Sequence, residues 1–190
     1  MSIVTFITHP EVVIDPQVSV PRWHLSDLGI AKMRAFAGSP AVTGIKAVWA
    51  STETKAIEAA GILAAAHGLP VSVHPGLDEN DRSATGFLPP DEFQRVADAF
   101  FANPLESVRG WERAIDAQRR VVAAFEAIVA TPPEGDIAIV AHGGVGTLLY
   151  CHLAGLPIDR RHDQPAQGHY WSFALQSRSI VHAWRSITAD

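Results

Sequence analysis

Two histidines close short apolar runs at opposite ends of the chain: Ile3-Val4-Thr5-Phe6-Ile7-Thr8-His9, and Ile137-Ala138-Ile139-Val140-Ala141-His142 followed by Gly143-Gly144. A continuous apolar run is how a parallel strand covered on both faces reads, and a histidine ending it is delivered to the strand's C-terminal edge. Ligand crevices of open α/β sheets lie along that edge. With a reference pKa of about 6.5, imidazole can be an uncharged nucleophile at neutral pH. Two imidazoles at one edge point to phosphoryl chemistry, one as nucleophile and the other stabilising charge.

The elements needed to position them are legible. Residues 10–22 carry Pro10, Pro16 and Pro21 and read as an irregular loop. Ser26 caps a helix through about Phe36, ended by Gly38 and Pro40. Lys46–Ala50 is a strand, followed by an alanine-rich helix from Thr52 to His67 and a short strand at Val71–His74. Residues 75–91 hold four acidic residues, two glycines and three prolines, and read as a functional loop. Helices are expected over about Pro90–Phe101 and Val108–Val129, the second with Val121, Val122, Phe125, Ile128 and Val129 on one stripe. The helix after His142 ends at Gly155 and Pro157, and Tyr170–Leu175 with Ile180–Arg185 form a final strand pair. Alternating strands and helices predict an α/β three-layer sandwich with a mostly parallel, mixed central sheet, built as a single domain over residues 1–190.

The bulk numbers narrow the function classes. The composition is 47% hydrophobic and 18% charged, as in an ordinary globular protein, and the formal net charge of -5 with scattered basic residues gives no reason to expect nucleic-acid binding. One cysteine, Cys151, excludes an intrachain disulfide and a multi-cysteine zinc site. No stretch approaches the roughly 20 apolar residues of a membrane span. A soluble, cytoplasmic protein is the expectation.

Five short motifs occur in an order that resembles the histidine phosphatase superfamily, the phosphoglycerate mutase-like proteins. Thr8-His9-Pro10 stands where the family has Arg-His-Gly, and Leu25-Ser26-Asp27-Leu28-Gly29 matches Leu-Thr-x-x-Gly. Ser51 to Ala60 (Ser-Thr-Glu-Thr-Lys-Ala-Ile-Glu-Ala-Ala) matches Ser-x-x-x-Arg-Ala-x-Gln-Thr-Ala, Leu77-Asp78-Glu79 matches Leu-x-Glu, and His142-Gly143-Gly144 is the nearest match of all. The resemblance spans nearly the whole chain. It implies that His9 attacks phosphorus to form a phosphohistidine, that His142 donates to the transferring group, and that Glu79 protonates the leaving oxygen and then activates water. It further implies phosphate contacts from Thr8, Lys55 and Gly143, with no metal or organic cofactor. The substrate would be a small phosphorylated molecule or phosphate-like anion, and a homodimer is an open expectation.

The departures bear on rate. Thr8 replaces an arginine and offers neither charge nor a bidentate fork. Losing one preorganised donor can cost about 10²–10³ in rate. Pro10 removes a backbone N–H, Lys55 keeps charge without planarity, and Glu58 stands in place of a glutamine. Arg22 and Arg82, ahead of Arg109, are the candidates to restore the lost cation. A catalytically weak or inactive relative that binds a phosphorylated or other anionic ligand, as a sensor or interaction module, is the alternative function. Gln167, His169 and Tyr170 are candidate substrate contacts, Trp23 a candidate aromatic wall, and Trp171 a packing residue. Gly144-Val145-Gly146 lacks the third glycine of a dinucleotide loop, and His9-Pro10-Glu11 lacks the Cys-x-x-Cys of a zinc deaminase.

Overall fold

The computed structural model describes residues 2–132 and 134–188. Its strands are β1 (Ile3–Thr8), β2 (Ile45–Ala50), β3 (Val71–Val73), β4 (Asp136–Ala141), β5 (His169–Ala174) and β6 (Ser179–Ser186). Its helices are α1 (Asp27–Ala37), α2 (Thr54–His67), α3 (Pro90–Ala102), α4 (Ala114–Val129) and α5 (Gly143–Leu153). The six strands form one sheet in the order β3-β2-β4-β1-β5-β6. β3, β2, β4 and β1 run parallel, while β5 runs antiparallel to both of its neighbours, β1 and β6, which gives the expected mixed sandwich.

Both faces of the sheet are covered. On one, α1 and α2 place Met33, Phe36 and Leu63 against Ile7, Val48 and Val140. On the other, α4 and α5 place Val121, Phe125, Val145 and Leu149 against Phe6, Ile137 and Ile139. This double burial is why β1 and β4 read as unbroken apolar runs. Trp171 is fully buried and stacks on Phe6 with ring centroids 5.1 Å apart, so it is a packing residue. α3 and Trp111 form a smaller cluster beyond this layer.

The element boundaries follow local chemistry. The Ser26 hydroxyl accepts the Gly29 N–H at 3.1 Å and starts α1. Gly68, at φ 64°, ends α2 in the left-handed region. One expectation is corrected: the helix read from Val108 begins only at Ala114. Arg109 (φ 53°) and Gly110 (φ 81°) turn the chain left-handed and break the run.

Candidate active site

Pairing register brings the two histidines together. β1 and β4 are parallel neighbours with Thr8 opposite Ala141, so the next residues, His9 and His142, emerge side by side. The His9 N–H donates to the Ala141 carbonyl at 3.1 Å, which carries the ladder to the edge. The two rings lie 5.3 Å apart, edge to face. β2 ends beside them at Ala50, and the next residue, Ser51, donates its N–H to the Val140 carbonyl. The parallel half of the sheet thus delivers His9, His142 and Ser51 to one edge.

The ring of His9 is oriented and its proton placed. Nδ1 lies 2.9 Å from the Pro10 carbonyl, which can only accept, so Nδ1 carries the hydrogen and the Nε2 lone pair is left for chemistry. Burial, reinforced by the Lys55 charge, pushes the imidazole pKa down to about 4. His9 is therefore neutral at neutral pH. Burial, and then His9 itself, hold His142 well below the ordinary value. The Nε2 of His142 meets the Ser51 hydroxyl at 2.7 Å, while its Nδ1 is buried without a protein partner.

Glu79 is bound into the same edge. Its carboxylate accepts the Gly144 and Val145 N–H groups at 3.0 Å each, at the N-terminus of α5. Burial pushes its pKa up, but the Arg82 charge and the Gly144 N–H outweigh that, and the group sits below its ordinary value. The loop carrying it is held from behind: Arg120 donates to the carbonyls of Gly76, Asp78 and Glu79 at 3.1, 2.9 and 3.2 Å.

Beyond Glu79 opens a cavity of about 520 Å³, with walls from residues 16–21 and from Asp78 to Ser83, closed by Gly86 and Phe87. Glu53 and Glu79 line it; neither imidazole forms its wall. Asn80 lines it too, 6% exposed, with Nδ2 lacking a protein partner.

The other expected residues divide. Arg82 lines the cavity, its guanidinium 5.1 Å from the Phe93 ring and 5.5 Å from that of Trp111, with no ion pair among the described residues. Arg22 is exposed and outside the lining, and its turn presents the Val20 carbonyl to Lys55. Arg109 pairs with Glu92 at the surface.

Thr8 is fully buried and its hydroxyl is committed. It donates to Gln164 at 2.6 Å and accepts the His169 N–H at 3.0 Å, so no hydroxyl proton remains for phosphate. Lys55 is buried but already pairs with Glu53 and donates to Val20. Gly143 opens α5, where an added Cβ would stand 2.3 Å from Gln164 Nε2. Glu58 turns away to His24 Nδ1 and the Leu25 N–H, at 2.6 and 2.8 Å. Tyr170 packs on Phe36 and His182, Gln167 is exposed, and Trp23 packs against Phe87, which itself forms the wall.

Ser51, Glu53, Asn80, Arg120 and Gln164 belong to the site although sequence reasoning gave them no role. Ser51 and Glu53 lie within a quoted motif, and Asn80 adjoins Glu79. Arg120 and Gln164 are remote in sequence and leave no local signal.

The arrangement is a neutral imidazole with Nε2 left open, a second imidazole, an anchored carboxylate and one guanidinium without an ion-pair partner among the described residues, at a sheet edge. The described residues contain no cluster suited to a metal ion and no helix long and apolar enough to cross a membrane.

A search of the curated proteins finds no match. Among solved structures, mycobacterial glucosyl-3-phosphoglycerate phosphatase with inorganic phosphate is 20% identical over the full length of both chains, with a TM-score of 0.79. Bacillus stearothermophilus YhfR is 20% identical over 96% of this chain and 95% of its own, with a TM-score of 0.80. A putative alpha-ribazole-5'-P phosphatase from Escherichia coli is 18% identical over 100% and 98%, with a TM-score of 0.74. These likenesses establish the fold. The family model of the histidine phosphatase superfamily (branch 1) matches residues 15–176, starting just past the divergent Thr8-His9-Pro10. The chain belongs to the histidine phosphatase superfamily.

Proposed function

We propose that the protein is a phosphatase that hydrolyses a small phosphate ester through a phosphohistidine on His9 Nε2. The observation that carries this reading is the Nδ1–H to Pro10 carbonyl bond, which leaves a neutral ring with its free lone pair beside His142. In the first step Nε2 forms a bond to phosphorus as the bond to the leaving oxygen breaks. In the second, water attacks phosphorus and the phosphorus–nitrogen bond breaks, regenerating His9. His142 and Arg82 stabilise the equatorial oxygens. Glu79 is ionised in the free protein, and a phosphoryl anion arriving beside it favours its protonated form by like-charge repulsion. It then gives that proton to the leaving oxygen and recovers one from water. Family membership and the shared fold support this assignment, and no step in it calls on a metal.

A specific observation favours a second reading, an anion-binding module. Thr8 has no donor to offer and Lys55 is neutralised by Glu53. Hydrolysis of p-nitrophenyl phosphate and a panel of phosphate monoesters, with EDTA present, separates the two. EDTA-resistant turnover that disappears in His9→Ala supports the phosphatase. No turnover, with inorganic phosphate still raising the melting temperature, supports the binding module.

A further inference from the structure

We propose that Glu53 is an internal anion seated among the groups that would bind a phosphoryl oxygen, and that it restricts the site to phosphoryl groups carrying a single negative charge. The proposal rests on the cavity edge being a phosphoryl site.

Glu53 occupies the N-cap position of α2 but does not cap the helix with its side chain. Its carboxylate turns inward instead, leaving the residue 7% exposed. There it pairs with the Lys55 ammonium, accepts the Glu79 N–H at 3.0 Å and lies 3.6 Å from His142 Nε2. These are a cation, a backbone donor and an imidazole, the partners a phosphoryl oxygen would seek. The Glu53 N–H donates to Ser51 Oγ at 3.2 Å, and the same hydroxyl meets His142 at 2.7 Å, so the carboxylate's backbone is tied to the catalytic edge.

The charges around the reacting centre then nearly cancel. Lys55 and Arg82 are the cations, Glu53 and Glu79 the anions, and Thr8 adds none. Both imidazoles are held neutral by burial. Asp78 and Asp81 add negative charge to the cavity wall. A dianion entering this edge has too little positive charge to offset its desolvation, whereas a monoanion is matched by Arg82. A carboxylate present only to anchor Lys55 would predict the opposite response to its removal: a disordered lysine and weaker anion binding.

The test is calorimetric titration near pH 8 of the full chain and of Glu53→Gln with two probes. Inorganic phosphate is mainly a dianion there and dimethyl phosphate a monoanion. Wild type should bind dimethyl phosphate about tenfold or more tightly than inorganic phosphate, and Glu53→Gln should gain about tenfold or more for inorganic phosphate while dimethyl phosphate changes by less than about threefold. Glu53→Met, close in volume and uncharged, carries the same expectation if the glutamine variant does not fold. An unchanged or weaker phosphate affinity, or equal gains for both probes, overturns the inference while leaving any wild-type phosphatase activity standing. No binding of either probe by either protein overturns it together with the phosphoryl reading.

Discussion

The buried neutral state of His9 makes stability depend on pH in a calculable way. The folded pKa of about 4 lies below the reference value of about 6.5, so between those values the unfolded chain binds a proton that the folded chain does not. Stability therefore rises with pH across this window and is lost as pH falls through it. Integrating the linkage relation for one group from about pH 7 down to about pH 5 gives a loss of about 2 kcal/mol. His142, also held low by burial, adds a loss of the same sign. The perturbation is His9→Gln, which keeps a polar side chain but cannot titrate. Urea unfolding of both proteins near pH 7 and near pH 5 gives the two differences in free energy. The variant should lose about 2 kcal/mol less than wild type on acidification. Equal losses would refute the reasoning, because His9 would then be as free to protonate in the folded state as in the unfolded one.

Two further substitutions probe the seat of Glu79. An added Cβ at Gly144 would stand 2.6 Å from Glu79 Oε1, so Gly144→Ala should displace the carboxylate and lower kcat by about 10²-fold with the far-ultraviolet spectrum intact; an unchanged kcat on the preferred monoester would show that this seat is dispensable. Arg120→Met removes donors from three carbonyls of the Glu79 loop and should cost about 2 kcal/mol in urea unfolding, together with a drop in kcat. Loss of stability with full kcat would separate the arginine from positioning.

The parts of the fold that sequence reveals are those governed by short-range chemistry. β1 and β4 show as apolar runs because both faces are covered, and α1 shows by its Ser26 cap. Once the two strands are taken as parallel neighbours in register, the meeting of His9 and His142 follows. The start of α4 is not legible because a helix-compatible stretch hides a left-handed pair at Arg109 and Gly110, of which only the glycine gives a signal.

In the site, residue type was legible and occupancy was not. Thr8 stands where an arginine was expected, but that its hydroxyl is consumed by Gln164, 156 residues away, depends on tertiary contact alone. Arg22 and Arg82 were equivalent on sequence, each a loop arginine. The fold separates them by placing Arg82 against Phe93 and Trp111 on the cavity side. Glu53 reads as an ordinary motif position, because nothing local says that an N-cap carboxylate will turn away from its helix toward Lys55.

The most direct test of the central claim is to trap the phosphoenzyme: rapid quench under alkaline conditions after mixing with p-nitrophenyl phosphate, followed by peptide mass spectrometry. The account predicts one acid-labile phosphate on the peptide containing His9, absent from His9→Ala and more abundant when Glu79→Gln slows attack by water. Turnover with no phosphate on His9, or with phosphate on His142 instead, would contradict it.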